Sequence, residues 1–352
     1  MIRLALAQLD PTLGDLSGNA QKILAAREQA RAMGADLMVT SELALIGYPP
    51  EDLVKKPAFL KAARLKLEEL AKLSADEGPA MLVGAPWNAE GPLYNAAVLL
   101  KNGRIEGVVR KVHLPNYGVF DEVRVFEPAG PQEPLSFMGL KLGVLICEDM
   151  WYADVAGHLK ARGADILIVP NGSPFEQDKP GQRLKHASAR VQETGLALVY
   201  VNQIGGQDEL VFDGASFALG QDGAVKLQAP FWQEAVIPCQ IDQTGNVLAG
   251  QMVPPPETLC ATYQAMMVGL RDYVQKNRFP GVILGLSGGI DSAITAAVAA
   301  DALGPDKVHT VMMPSPYTSQ DSLDDAKACA DMLGIGYDIV GIEPAMQAYG
   351  SM

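Results

Sequence analysis

Only four of the 352 residues are cysteine, at positions 147, 239, 260 and 329, and no two form a Cys-x-x-Cys pair. That spacing gives neither a disulfide framework nor a zinc-finger pattern, which fits a reducing, cytoplasmic setting. Basic charge is also short: 28 Lys and Arg stand against 41 Asp and Glu, for a net charge of −13. A nucleic-acid surface needs a basic face, so no nucleic-acid partner is expected. No apolar run approaches the ~20 residues that span a bilayer, and no membrane association is expected. The opening Met1-Ile2-Arg3-Leu4-Ala5-Leu6-Ala7-Gln8 turns polar too soon for a signal peptide and reads as a first strand. Repeats and low-complexity segments are absent. What is present is ordinary, 48% hydrophobic and 20% charged, with length for two or three soluble domains.

The most informative stretch is Ser287-Gly288-Gly289-Ile290-Asp291-Ser292. It follows an apolar run, Val282 to Leu286, and opens an alanine-rich segment, Ala293 to Ala302. A buried parallel strand feeding a helix through a glycine turn gives that pattern. Glycines without Cβ let backbone N–H groups approach an anion, and the following helix adds its positive dipole end. Ser287 and Ser292 supply hydroxyl donors, and Asp291 suits either Mg²⁺ or a helix cap. The loop has no Gly-Lys-Ser/Thr, so it is not a Walker A loop, and it lacks the dinucleotide Gly-x-Gly-x-x-Gly turn. Its SGGxDS pattern resembles the PP-loop of the ATP pyrophosphatases. The resemblance implies ATP as a substrate, split between its α and β phosphates, with Leu286 to Ser292 at the nucleotide. A plain serine-glycine turn is the bland alternative.

Upstream, strand and helix patterns alternate. Residues 3–9 and 35–42 read as strands around a helix that Asn19 caps and Gly34 ends, and Phe59 to Leu73 reads as a second helix. Strands at Ala80–Gly84 and Tyr94–Leu100 follow, the latter joined to Ile105–Arg110 by Asn102-Gly103, a strong hairpin signal. The apolar run Leu140 to Ile146 ends at Cys147. Helices and strands alternate again to about residue 203, and antiparallel strands follow. Glu42, Lys111 and Cys147 each fall just past a predicted strand end, where side chains of neighbouring strands converge. As a set they suit amide hydrolysis: the cysteine attacks the carbonyl carbon, the carboxylate takes the thiol proton, and the ammonium stabilises the oxyanion. Lys111 is also expected to lower the thiol pKa. Singly, each is bland: a free cysteine is usually a small buried hydrophobe, and a lone Glu or Lys a surface charge.

Their surroundings are specific. Glu42-Leu43-Ala44-Leu45-Ile46-Gly47-Tyr48, Lys111-Val112-His113-Leu114-Pro115 and Ile146-Cys147-Glu148-Asp149-Met150-Trp151 resemble the three signatures of the nitrilase (carbon–nitrogen hydrolase) superfamily. The resemblance implies an α-β-β-α sandwich with Glu42 as base, Lys111 as oxyanion stabiliser and Cys147 as thioester-forming nucleophile. Leu114 to Glu122 and Val201 to Gly214 resemble the glutaminase domain of the glutamine-dependent NAD⁺ synthetase family. That likeness implies glutamine contacts from Tyr117, Ser173 and Lys179. Glu122 suits either orienting Lys111 or meeting the substrate ammonium. A lysine and a hydroxyl are fitting partners for an α-carboxylate. His113, His158, His186 and His309 are read as structural.

The expected organisation is α/β throughout. A nitrilase-type sandwich occupies residues 1–250, a proline-rich, semi-rigid linker 251–261, and the start of a Rossmann-like parallel-sheet PP-loop domain 262–352. In that last part a helix over 258–277 leads into the loop, Val308 to Ser315 forms a second strand, Ser322 caps a further helix, and Tyr337–Ile342 is a third strand. Met312 and Met313 are placed near adenine by resemblance, although core packing explains them almost as well. The family reaction implied is amidation of deamido-NAD⁺ with ATP, Mg²⁺ and glutamine-derived ammonia, in a homo-oligomer with an internal ammonia tunnel. Family synthetase domains run further than this chain, so a fragment is expected that hydrolyses glutamine without completing NAD⁺ synthesis. The alternatives are a stand-alone nitrilase-type amidase with a degenerate PP-loop appendage, or a non-catalytic nucleotide-binding protein. Other PP-loop amidotransferases resemble different glutaminase folds.

Overall fold

Strands in the first 250 residues carry apolar side chains on both faces, and both faces are used. The structure, a computed structural model, describes every residue except Glu90. Strands β1 (Ile2–Gln8), β2 (Leu37–Thr40), β3 (Ala80–Trp87), β4 (Tyr94–Lys101), β5 (Arg104–Arg110) and, much later in the chain, β14 (Ala235–Ile241) form one sheet. Its order is β14-β1-β2-β3-β4-β5. Strands β6 (Leu135–Phe137), β7 (Leu140–Val144), β8 (Ile166–Asn171), β9 (Ala197–Asn202), β12 (Phe217–Leu219) and β13 (Val225–Gln228) form a second, ordered β13-β12-β9-β8-β7-β6. A separate hairpin pairs β10 (Ile204–Gln207) with β11 (Leu210–Asp213). Leu4, Leu6, Val39 and Leu82 meet Val144, Ile166, Ile168 and Val199 between the sheets. The alternate residues Ala5, Met38, Met81 and Val83 turn outward onto helices α1 (Leu16–Ala32) and α2 (Pro57–Leu73). Leu167, Val169 and Leu198 do the same onto α3 (Ala153–Ala161) and α4 (Lys179–Thr194). Period-2 alternation with two apolar faces thus yields four layers, α-β-β-α.

This packing decides where the strands end. β2 and β3 are parallel, and two antiparallel steps bring β5 back to their direction. β7, β8 and β9 are mutually parallel. A hydrogen bond from Glu42 N–H to the Asn171 carbonyl, 3.3 Å, joins the exit of β2 to the exit of β8. The loops after β2, β5, β7, β8 and β9 therefore gather at one end of the sandwich.

Some boundaries differ from those expected. Asp15, rather than Asn19, caps α1, taking the Gly18 N–H. Asn19 is buried inside the helix and clasps Thr12 through both its amide groups. Residues 251–255, read as part of a semi-rigid linker, lie along β13. The Gln228 N–H bonds Gln251 O and the Val253 N–H bonds Gln228 O, at 2.9 and 3.1 Å. Met252 to Pro255 wall a cavity of about 510 Å³ opposite Pro180, Gly181 and Leu184 of α4. Helix α5 (Thr258–Lys276) already begins within the segment assigned to the linker.

The chain divides into Met1–Thr258 and Leu259–Met352. In the second unit β15 (Val282–Gly285), β16 (Val308–Met312) and β17 (Gly336–Ile339) form a parallel sheet in sequence order. Helices α6 (Ile290–Leu303) and α7 (Gln320–Leu333) follow the first two strands. Their Ala296, Ala299, Ala326 and Ala330 pack with Leu286, Val308 and Met312. Ser319 caps α7 by accepting from Ser322 N–H, so Ser322 lies within the first turn. The last strand is shorter than expected because the chain turns into α8 (Glu343–Gly350). Among the described residues no helix is long and apolar enough to cross a membrane.

Candidate active site

At the gathered strand ends, Lys111 is fully buried and held between two carboxylates. Its Nζ donates to Glu42 Oε1 at 2.6 Å and to Glu122 Oε1 and Oε2 at 2.8 and 2.9 Å. Asn95, a polar residue in the apolar strand β4, donates to Glu42 Oε1 at 2.7 Å and to Glu122 Oε2 at 3.4 Å. Tyr48 O–H donates to Glu122 Oε1 at 2.8 Å, and Gly172 N–H to Glu42 Oε2 at 2.9 Å. A Cβ at Gly172 would stand 2.8 Å from the Tyr48 ring, so only glycine brings this amide so close. Burial alone would pull the Lys111 ammonium down, but Glu122 and Glu42 together push it well above its ordinary value. Burial pushes the Glu122 carboxyl up to about 7, with Lys111 opposing and Glu42 reinforcing. Of the two roles expected of Glu122, orienting Lys111 is the one with bonds.

Cys147 follows β7 and is buried at the first position of a short 3-10 turn, Cys147–Trp151, with φ of +47°. Asp149 ties this turn to the Lys111 loop. Its carboxylate accepts from Val112, His113 and Ile146 N–H at 3.0, 2.7 and 2.9 Å. Burial pushes that carboxyl up to about 6 against the pull of these donors. The thiol feels burial first, then the charge of Glu42, and both push it well above its ordinary value. Lys111 pulls the other way and is outweighed, so the expected lowering of the thiol pKa does not occur. A thiol that rests protonated needs a base at the moment of attack.

The candidate substrate side is built from loops and the start of α4. Tyr117 is half-exposed, and its hydroxyl donates to the buried Glu148 at 2.9 Å. Glu148, the neighbour of Cys147, drew no role from sequence. Lys179 opens α4 and is nearly buried, 3.9 Å from Glu176 and 5.1 Å above the Trp151 ring. Ser173 is buried, its N–H on Asn202 Oδ1 at 3.0 Å and its hydroxyl accepting from Arg183 Nε at 3.0 Å.

Comparison with known proteins gives this geometry a family. Residues 3–247 match the carbon-nitrogen hydrolase family. The chain belongs to that family. A solved relative of this hydrolase, the amidase from Nesterenkonia sp. AN1 with acrylamide added to its active-site cysteine, is 30% identical with a TM-score of 0.60. The match covers 69% of this chain and 94% of the amidase. Residues 262–352 of the hydrolase chain match the NAD synthase family. The Rhodobacter capsulatus glutamine-dependent NAD(+) synthetase is 48% identical over 97% of this chain and 62% of its own length. That from Acinetobacter baylyi is 40% identical over 99% and 64%. A solved glutamine-dependent NAD+ synthetase from Acinetobacter baumannii, in complex with adenosine diphosphate, has a TM-score of 0.93 at 40% identity, covering 99% and 66%. The carbon-nitrogen hydrolase chain thus spans somewhat less than two thirds of the length of the curated relatives it matches.

The NAD synthase part carries the serine-glycine loop at the β15–α6 junction. Gly288 has φ of +78°, and a Cβ there would lie 2.5 Å from the Ser322 carbonyl oxygen. Ser292 Oγ ties the loop together, donating to Gly289 O at 2.9 Å and accepting from Ser287 N–H at 3.2 Å. Helix α6 has no side-chain cap, so of the two uses expected for Asp291 the cap is not realised. A cavity of about 460 Å³ is lined by Leu286, Ser287, Met312, Met313 and Tyr317. Gly289, Ile290, Asp291 and Ser292 do not line it; they are exposed or half-exposed at the start of α6. Met312 is core, whereas Met313 is half-exposed.

Proposed function

We propose that the chain is the glutamine-hydrolysing and nucleotide-loop portion of a glutamine-dependent NAD⁺ synthetase. The observation that carries the hydrolase half is the Lys111 ammonium clamped by Glu42 and Glu122 beside the buried Cys147. Cys147 Sγ attacks the glutamine carboxamide carbon while Glu42 takes the thiol proton. Lys111 stabilises the charge on the carbonyl oxygen. Collapse breaks the carbon–nitrogen bond, Glu42 returns the proton to nitrogen, and ammonia leaves a thioester. Water then adds, giving one proton to Glu42 and finally restoring the thiol and releasing glutamate. Lys179 suits the substrate α-carboxylate, and Glu148, oriented by Tyr117, its ammonium.

In the second unit, the N–H groups at the start of α6 and the Ser287 and Ser292 hydroxyls receive ATP phosphates, and the cavity beside Met313 receives the base. Asp291 would be the residue to hold Mg²⁺, which would supply positive charge at the triphosphate. The described residues contain no group of three acidic, His or Cys side chains able to hold it alone. The deamido-NAD⁺ carboxylate attacks the α-phosphate of ATP and pyrophosphate leaves; ammonia then adds to the acyl-adenylate carbonyl and AMP leaves, giving NAD⁺. Four free cysteines suit a cytoplasmic setting. Assembly as a homo-oligomer is part of the same reading, checked by light scattering.

Glutamate release from glutamine by this chain and by Cys147→Ala tests the first half. Release by the parent that vanishes in the variant is expected. Persistent release by the variant removes Cys147 from the mechanism; a folded parent without release means either that glutamine is the wrong amide or that the synthetase half is needed to switch the site on, and adding a full-length partner separates the two. For the second half, Gly288→Ala is expected to lose ATP binding while glutamate release stays unchanged.

A further inference from the structure

Arg183 lies one turn beyond Lys179 on α4, on the same face, and is wholly buried. Every nitrogen of its guanidinium is in use. Nε meets Ser173 Oγ at 3.0 Å, Nη1 meets both Asp213 oxygens at 2.7 and 2.9 Å, and Nη2 meets the Ser173 and Pro174 carbonyls at 2.8 and 2.9 Å. Asp213 ends β11, so a helix, a loop and a hairpin meet at one side chain. The loop it grips is Asn171-Gly172-Ser173-Pro174, whose Gly172 N–H rests on Glu42. Asn202 separately holds the Ser173 N–H and carbonyl. The Ser173 hydroxyl also bonds Tyr200, so loss of Arg183 loosens the Ser173–Pro174 backbone and the start of α4 more than it loosens Gly172.

A buried ion pair seldom adds net stability over apolar residues of the same volume. What a planar five-donor fork adds is placement. Because Asp213 balances its charge, Arg183 leaves the recognition charge of the pocket to Lys179.

We infer that Arg183, fixed by Asp213, is a positioning residue that sets the amino-acid end of the substrate subsite by locking Ser173 and the first turn of α4 together. This rests on the reading of the site as a glutaminase. The test uses the 352-residue chain, Arg183→Met, and the double variant Arg183→Met/Asp213→Asn, in which no carboxylate is stranded. Glutamate release is measured with Cys147 alkylation by iodoacetamide, which lacks the amino-acid group, and by a diazoketone analogue of glutamine, which has it. In the double variant the KM for glutamine rises about tenfold while kcat stays within about threefold. The analogue's saturation constant rises in step, and the iodoacetamide rate is unaltered. Parent-like KM and saturation in the double variant overturn the proposal, as does a fall in kcat at unchanged KM. An analogue that labels the parent without saturating overturns the glutamine reading and the proposal together.

Discussion

Two of the buried cations in the hydrolase unit, Lys111 and Arg183, are surrounded differently. Lys111 stands between two carboxylates, Glu42 and Glu122. Arg183 has one, Asp213. The first cluster carries an excess acid, and burial pushes one of its members, Glu122, up to about 7. The second is balanced, and its remaining donors go to a hydroxyl and to backbone carbonyls. An unbalanced buried cluster suits moving a proton, and a balanced one suits holding a loop still.

The largest effect is expected for Lys111→Met. It leaves two buried carboxylates with no cation, costing about 3–5 kcal/mol at neutral pH and at least about 10³ in kcat. Because the stranded carboxyls are relieved by protonation, the stability loss should shrink as pH falls; denaturant unfolding at pH 5 and pH 8 reads this. Asp213→Asn strands Arg183 instead, also at about 3–5 kcal/mol, but arginine does not titrate, so the loss should be equal at both pH values. A pH-dependent loss in that variant would break the comparison.

Glu122→Gln is next. The folded Glu122 carboxyl lies at about 7 against an ordinary 4.5, so between these values the folded chain binds the proton more tightly than the unfolded one. Its contribution is therefore present at acid pH and lost as pH rises through that window, by about 3 kcal/mol. The glutamine variant should flatten this slope. It should also remove a limb near pH 7 from the rate profile and slow kcat by about 10–10². Smallest is Ser173→Ala, which removes one partner of Arg183. About 1 kcal/mol of stability and a few-fold rise in KM are expected, with kcat and its pH profile unmoved.

What the sequence revealed follows the range of each interaction. The Asn102-Gly103 hairpin was legible because its signal is local; both residues adopt positive φ, +53° and +78°. Glu42, Lys111 and Cys147 were legible because strand ends converge in any layered sheet. Helix starts were less so: Asp15 accepts from Gly18 N–H and caps α1 four residues before Asn19, and Ser319 outcompetes Ser322. The proline run has a linker's composition, but β13 offers it unpaired backbone groups and it docks there. Asn95, Glu148, Arg183 and Asp213 were given no role, since the meaning of a polar residue in an apolar strand or helix lies in a partner far along the chain. An asparagine within an otherwise apolar β4 was the one hint available.

The pairing of β1 with β14 has a consequence for synthesis on the ribosome. β1 lies between β2 and the last strand of the hydrolase unit, matched to the latter along its whole length from Ile2 opposite Ile241 to Gln8 opposite Ala235. Until residues 235–241 emerge, one edge of β1 stays open, with Leu4 and Leu6 committed to a core that is incomplete. Contacts this distant in sequence form slowly, and open apolar edges invite other nascent chains. The growing chain therefore remains exposed to aggregation until β14 emerges, and chaperone dependence should be concentrated in that interval.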